Sequence, residues 1–199
     1  MKDNKEQFIF YKYHSMLNLK FFFDIIINSR IYAATYNQMN DPMEGCYLFE
    51  TKNTKILHDL KTKLYKTRIL SLTDNDTNWL MWAHYANSHY GCCFKLRLKP
   101  RSKLEIKKVI YTNEIPVIKD KGSSEIDLLL HKSNIWNYEN ESRVFTKASY
   151  VSIVIEGVTF GYLVKDSDFK LYKSLILKFH PQLEGKIKRI TKSQLYDDF

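Results

Sequence analysis

Two hydrophobic periodicities alternate along the first third of the chain and predict its opening elements. The ring-rich run at residues 8–13 is typical of a short strand. Ser15 follows as a candidate N-cap for a helix with one apolar face. That face is formed by Leu19, Phe22, Phe23, Ile26 and Ile27. A second strand is predicted over residues 30–34, and a second helix after Thr54.

The rest of the chain continues to mix the two patterns. The predicted strands cover residues 68–72, 92–98, 106–111, 142–149, 151–156 and 186–190. The predicted helices follow the polar loop at residues 74–77, Ser123 or Ser124, and Asp166. Because the strands do not alternate regularly with helices, the pattern favours α+β over a doubly wound sheet. We predict one domain over residues 1–199, with a bent, mostly antiparallel sheet and packed helices.

Composition supports a folded chain with a large core. Of the 199 residues, 44% are hydrophobic and 15% are aromatic, which provides extensive apolar surface for burial. The polar N-terminus predicts no signal peptide, and the longest apolar run is too short for the roughly 20 residues of a membrane helix. Cys46, Cys92 and Cys93 show no disulfide or zinc spacing. We therefore expect a cytoplasmic protein with reduced, buried thiols and no membrane partner.

The formal net charge of +9 permits a polyanionic partner such as nucleic acid. However, the lysines are spread along the whole sequence and form no block of like charge. Two interpretations stay open, a nucleic-acid-binding surface and a solubilising one.

Few sequence motifs indicate chemistry. No glycine-rich phosphate loop and no metalloprotease motif is present. His84 and His89 are five residues apart, which does not place two metal ligands on one helix face, and we expect no bound metal. The segment Asn40-Asp41-Pro42, with Glu44 nearby, is typical of a tight polar turn.

The segment at residues 136–145 carries the most informative charges. Glu139, Glu141 and Arg143 are spaced at i, i+2 and i+4, so in a strand all three would point the same way. Such a row occurs on solvent-facing strands, and it also occurs where carboxylates point into a cleft. Both interpretations stay open.

Several segments, taken in order, resemble the bacterial family catalogued as domain of unknown function 2971. They are residues 10–13, 30–32, 40–44, Ser71, 81–86 with His89 and Gly91, 109–111, and 136–143. Ser142 stands where that family often has an aromatic residue. The resemblance spans nearly the whole chain and implies a shared fold without an agreed activity.

The layout is also similar, more distantly, to ADP-ribosyltransferases of the DNA-modifying toxin type. Glu139-Asn140-Glu141 looks like the Glu-x-Glu element of arginine-directed members. This resemblance implies an ADP-ribosyltransferase-like fold and NAD as co-substrate, with transfer to nucleic acid or protein. Glu141 would be the catalytic carboxylate and Glu139 its helper. Tyr13, Asn40, Asp41, Tyr85 and Arg143 would bind the cofactor.

Two rival functions stay open beside the transferase. One is a non-catalytic module of a defence or toxin system that binds nucleic acid or a partner, in which the Glu/Glu/Arg row is structural. The other is a Mg²⁺-dependent, nuclease-like hydrolase built on Asp41, Glu44 and Glu141, because carboxylate oxygens are suitable ligands for that ion.

Overall fold

A computed structural model describes residues 8–50, 53–99, 104–118 and 124–195. Its helices are α1 (Leu19–Asn28), α2 (Thr54–Lys66), α3 (Trp79–Tyr85), α4 (Glu125–Leu128) and α5 (Asp166–Phe179). Its first strands are β1 (Phe10–His14), β2 (Arg30–Tyr32), β3 (Ala34–Thr35), β4 (Leu48–Phe49), β5 (Arg68–Thr73) and β6 (Cys92–Leu98). The later strands are β7 (Glu105–Lys108), β8 (Ile110–Thr112), β9 (Val117–Ile118), β10 (His131–Ser133), β11 (Glu141–Thr146), β12 (Tyr150–Phe160) and β13 (Ile187–Arg189).

Contacts between Cα atoms group the chain into two compact units. The first unit consists of Met1–Ile31, Thr73–Arg101 and Ser152–Phe199, and the second of Tyr32–Leu72 and Ser102–Val151. Of the two candidate sites described below, one lies entirely within the first unit and the other entirely within the second.

The first unit is built on strands in the order β13-β12-β6-β1. β6 runs antiparallel to both β1 and β12, whereas β13 is parallel to β12. Helices α1 and α5 pack together, with the Phe22 and Tyr172 rings 5.4 Å apart. Phe22, Trp82 and Phe94 are fully buried, so the large rings of the sequence do fill this core.

The second unit combines one antiparallel group of strands with two small parallel pairs. β3 pairs antiparallel with β5, β5 lies beside β11, and β11 pairs antiparallel with β7. β8 pairs with β10 and β4 with β9, both in parallel. The core lies between α2, α4 and these strands. It contains Leu60, Leu64, Ile69, Ile118, Leu128, Leu129, Leu130 and Phe145.

Side-chain caps explain where three of the helices begin. Asn53 accepts hydrogen bonds from the first turn of α2, and Asn78 does the same for α3. Ser124 and Asp127 form a capping box at α4. The predicted cap at Ser15 is wrong, because α1 begins at Leu19 and the Ser15 hydroxyl instead accepts the Leu17 N–H.

The coarse fold prediction is confirmed: the chain is α+β, its strands pair mostly antiparallel, and helices pack beside them. The strand predicted at residues 106–111 is instead two strands, β7 and β8. They are separated at Val109, whose N–H donates to the Glu141 carbonyl. In the described part of the chain, no helix is long and apolar enough to cross a membrane. The extent of one domain over residues 1–199 stays a prediction.

Candidate functional site

Five charged side chains meet inside the second unit, in a group that we call the ionic cluster: Glu44, Lys132, Glu139, Glu141 and Arg143. No side chain of this cluster is more than 5% exposed. Charged groups are rarely buried to this degree unless they are paired. Each charged group of the cluster is therefore expected to contact a group of opposite charge.

Local backbone geometry brings the two glutamates of the Glu-x-Glu segment together. Glu141 and Arg143 are alternate residues at the start of β11 and point the same way. Glu139 is not in the strand, because it is the last residue of a 3₁₀ helix, Asn134–Glu139. Asn140 then turns the chain with a left-handed φ of 43°. Through this turn both carboxylates reach the same ammonium group, that of Lys132.

Arg143 is the fully buried cation at the centre of the cluster. Its Nε lies 2.9 Å from Glu141 Oε1 and its Nη2 lies 3.1 Å from Glu141 Oε2, so the pair is bidentate. The same Nη2 lies 2.9 Å from Glu44 Oε1, and Nη1 donates to the Leu129 carbonyl. One guanidinium thereby joins β11 to the turn around Glu44 and to the end of α4.

Lys132, on β10, is the second cation. Its Nζ donates to Glu139 Oε2 at 2.5 Å and to Glu141 Oε2 at 3.2 Å. Glu44 Oε1 is farther away, at 3.8 Å. The ammonium also lies 5.2 Å from the centroid of the Trp136 ring, within the range of a cation–π contact.

The charges of the cluster do not balance, because three carboxylates share two cations. Burial by itself raises the pKa of Glu141, but Arg143, Lys132 and a hydrogen bond from Ser71 outweigh burial and lower this pKa to about 2. Burial raises the pKa of Glu44 to about 7, since Arg143 and Lys132 offset only part of the effect and Glu141 adds repulsion. Neither Glu44 oxygen accepts a hydrogen bond of good geometry from the described residues. The excess negative charge therefore falls on Glu44.

The polar turn that precedes Glu44 is anchored to the same region. Asp41 is 5% exposed, and its Oδ2 accepts the Ser133 N–H at 2.7 Å, next to Lys132. Its Oδ1 accepts the Met43 N–H at 3.0 Å. Both Asp41 oxygens therefore bind backbone donors. This agrees with the structural interpretation of the turn.

The structure brings four of the predicted site residues into one region of the second unit. Glu139, Glu141 and Arg143 are in the ionic cluster, and Asp41 is hydrogen-bonded beside it, whereas the adjacent Asn40 is exposed. Tyr13 and Tyr85 belong to the first unit. There the Tyr13 hydroxyl donates to the Asn75 carbonyl, and its ring packs edge-on against Trp82 at 5.2 Å.

Sequence reasoning missed Lys132 altogether. It lies in a three-residue strand between an apolar run and Trp136, where no periodicity indicates its direction. The only signal was a single lysine beside the buried Leu128–Leu130 run.

As a chemical site, the ionic cluster is closed and largely self-neutralised. Both oxygens of Glu141 are bound by cations, and Lys132 occupies the space between the two glutamates of the Glu-x-Glu segment. Over the described ranges, no group of three or more His, Cys, Asp or Glu side chains is arranged to hold a metal ion. The geometry suits a role in fixing the conformation around β10 and β11.

The cysteines differ in exposure, and the prediction that all three are buried is wrong for one of them. Cys92 and Cys93 are buried on β6, and burial raises the pKa of both thiols. Cys46 is exposed.

A second candidate site lies in the first unit, and we call it the basic cleft. It has a volume of about 590 Å³. Its lining comes from the start of β1, the middle of β6, β12, and the turn into β13. The lining residues are Ile9, Tyr11, Asp76, Lys95, Glu156, Gly157, Val158, Thr159, Gly185, Lys186 and Lys188.

Strand register places the lysines of this cleft around a glycine. Tyr11 pairs with Lys95, and Lys95 pairs with Gly157, so these three residues form one row across the sheet. Gly157 has no side chain, and a Cβ there would lie 3.1 Å from the Lys186 carbonyl oxygen. The glycine therefore leaves bare backbone as a floor between Lys95 and Lys186.

The lining of the basic cleft carries more positive than negative side chains. Lys95, Lys186 and Lys188 are all exposed, and they face only two lining acids, Asp76 and Glu156. Glu156 is bound by the Arg97 guanidinium, whose Nε lies 2.7 Å from Glu156 Oε1. The lysine ammonium groups are therefore available to an anionic ligand.

Comparison with known proteins gives no match to a family model, to a curated protein or to a solved structure.

Proposed function

We propose that this protein is a cytoplasmic, non-catalytic nucleic-acid-binding module whose working surface is the basic cleft. The observation that carries the proposal is the convergence of Lys95, Lys186 and Lys188 around the bare Gly157 floor. The proposal assigns part of the net charge of +9 to ligand binding at a defined place on the surface. The exposed thiol of Cys46, which forms no disulfide, is in keeping with a reducing compartment.

The physical basis is the release of counterions from phosphates. Each lysine that contacts a phosphate displaces condensed cations, so affinity falls steeply as salt rises. With three lysines engaged, we expect affinity to drop by roughly tenfold or more between about 50 and 200 mM salt. Binding should show little dependence on sequence, because phosphate contacts carry none.

The test compares two double variants with the same change in charge. Lys186→Gln/Lys188→Gln removes two lysines of the basic cleft, and Lys170→Gln/Lys178→Gln removes two exposed lysines of α5. Fluorescence anisotropy with a labelled oligonucleotide, across a salt series, measures Kd and its salt slope. We expect the cleft variant to reduce the slope by about 2 and the α5 variant to leave it unchanged. Equal losses in the two variants, or no binding at low salt, would overturn the proposal.

The NAD-dependent transferase, with its ADP-ribosyltransferase-like fold, stays a second hypothesis. The meeting of Glu139 and Glu141 at one ammonium group favours it, because that pair is what the resemblance picks out. Stabilising an oxocarbenium-like ribose requires a carboxylate that faces the sugar. Glu141, however, is 3% exposed and bound by Arg143, so we rank the transferase second.

The transferase is tested by following nicotinamide release from labelled NAD in the presence of DNA, RNA or protein acceptors. If Glu141 is catalytic, Glu141→Gln reduces the rate by roughly a hundredfold or more. Absence of release by the unmodified protein would exclude the hypothesis.

A further inference from the structure

We infer that the basic cleft takes single-stranded rather than double-stranded nucleic acid, with an unpaired base stacked on Tyr11 and the phosphates on Lys186 and Lys188. This inference rests on the proposed function and specifies its ligand. It is argued from the arrangement of the row Tyr11–Lys95–Gly157 and from the distribution of charge along the cleft.

The size of the cleft distinguishes between a single strand and a duplex. Its volume of about 590 Å³ lies in the range of pockets that bind small ligands. The bases of a duplex are paired and stacked inside the helix, so a duplex presents phosphates to such a cleft but no base to its floor. A single strand can insert a base, because its bases are free to turn outward.

An aromatic ring lies at one end of the row Tyr11–Lys95–Gly157. Tyr11 is half-buried and lines the cleft, and Ile9, just before β1, also lines it and is 37% exposed. Adjacent strands lie about 4.8 Å apart, so β1 and β12 are separated by about 10 Å across β6. That span places a base over Tyr11 and its phosphate near β12 and β13.

Charge is unevenly distributed along the cleft. Lys186 and Lys188 lie at the β13 end, and Lys95 lies on the middle strand. Asp76 lies at the other end, close enough to Tyr11 to act electrostatically on its hydroxyl. A phosphate is attracted to the lysines and repelled from Asp76, whereas an uncharged base is not repelled. The backbone of the ligand is thereby directed along β13 and its base toward Tyr11.

Stacking on a ring tolerates every base and contributes about 1–3 kcal/mol per base. Losing the ring should therefore weaken single-strand binding by at least about fivefold. Tyr11→Leu removes the ring and keeps an apolar side chain, while Tyr11→Phe keeps the ring and removes only the hydroxyl. Three probes are compared by anisotropy or competition: a 12-nucleotide single strand, the duplex of the same sequence, and heparin, a polyanion without bases.

We expect the unmodified protein to prefer the single strand to the duplex, and heparin to compete for the same lysines. Tyr11→Leu should lose at least about fivefold on the single strand and nothing on the duplex or heparin, whereas Tyr11→Phe should bind normally. Equal affinity for single strand and duplex overturns the inference, whatever the variants do. Full single-strand binding by a folded Tyr11→Leu variant also overturns it.

These outcomes separate the inference from the function on which it rests. If duplex and single strand bind equally and Lys186→Gln/Lys188→Gln weakens both, the nucleic-acid-binding function holds and the inference fails. If no nucleic acid binds at low salt, both fail. The comparison of single strand with duplex uses the unmodified protein, so it tests the inference even if Tyr11→Leu proves unstable.

Discussion

Replacing Glu44 with glutamine should stabilise the protein by about 3 kcal/mol at pH 8 and by less than about 1 kcal/mol at pH 5. The Glu44 side chain is 1% exposed, and the ionic cluster that contains it holds three carboxylates and two cations. Removing one negative charge makes the cluster neutral. Arg143 keeps its bidentate contact with Glu141 and its bond to the Leu129 carbonyl.

The magnitude follows from the pKa of Glu44, which burial raises from 4.5 to about 7. Below pH 4.5 the carboxyl is protonated in both the folded and the unfolded state. Between pH 4.5 and 7 the folded state holds a proton that the unfolded state has released, so the free energy of unfolding falls as pH rises. Above pH 7 the whole penalty is present, and it is on the order of 3 kcal/mol.

The difference between variant and unmodified protein is the quantity to measure, because other groups titrate in the same range. Burial lowers the pKa of His14 to about 4, so its contribution to stability is lost as pH falls from about 6.5 toward 4. The pKa of Glu141 is lowered from 4.5 to about 2, so its ionised carboxylate stabilises the fold above pH 4.5. That stabilisation is lost as pH falls from 4.5 toward 2. Glu44→Gln also removes a carboxylate that repels Glu141, but Glu141 titrates below the pH range of the measurement.

Urea unfolding at pH 5, 6, 7 and 8 gives the free energy of unfolding of each variant. Glu114, which is exposed in the same unit, provides the control, and Glu114→Gln should change stability little at every pH. A Glu44→Gln effect that is the same at pH 5 and pH 8, or a loss of stability at pH 8, would refute the reasoning. Glu44 would then be a well-paired carboxylate and not the excess charge of the cluster.

Two further predictions concern stability. Lys132→Met leaves three buried carboxylates with one cation and should cost about 3–5 kcal/mol in urea unfolding. Lys173→Met, which breaks an exposed pair, should cost less than about 1 kcal/mol, and a similar loss in both variants would contradict the role of Lys132. Gly161→Ala should cost about 3 kcal/mol, because its Cβ would lie 2.0 Å from the His89 carbonyl oxygen. In Gly185→Ala the added Cβ meets no atom within 4 Å, so the only cost is the roughly 1–2 kcal/mol of a left-handed φ in alanine. If both variants lower the melting temperature equally, the argument from the close contact at Gly161 is refuted.

The helices and the longer strands were predictable because their signals are local. The stripe of apolar residues in α2 and the alternation in β6 each follow from a few neighbouring residues. β4, β9 and β10 were not predicted, since each is two or three residues long and depends on a distant partner strand. Pairing of that kind leaves no periodicity in the sequence.

The candidate sites show the same limit. Alternation at Glu141 and Arg143 correctly indicated that these two residues share a face, but not what that face meets. The deciding contacts come from Glu44, which lies in a turn far earlier in the chain, and from Lys132, which lies nine residues before Glu141 on a three-residue strand. The basic cleft was also hidden, because Lys95, Lys186 and Lys188 are brought together only by the pairing of β6, β12 and β13.

Burial distinguishes the two charged sites as candidates for function. In the ionic cluster the cations are already bound by carboxylates, and a ligand would have to displace contacts as short as 2.5 Å in a site closed to water. A buried cation that loses its partner costs several kcal/mol, so such displacement is unfavourable. In the basic cleft the lysine side chains are exposed and a phosphate replaces only water and small ions. An anionic ligand would therefore lose fewer existing contacts on binding at the basic cleft than at the ionic cluster. The charges of the ionic cluster already bind one another around β10 and β11.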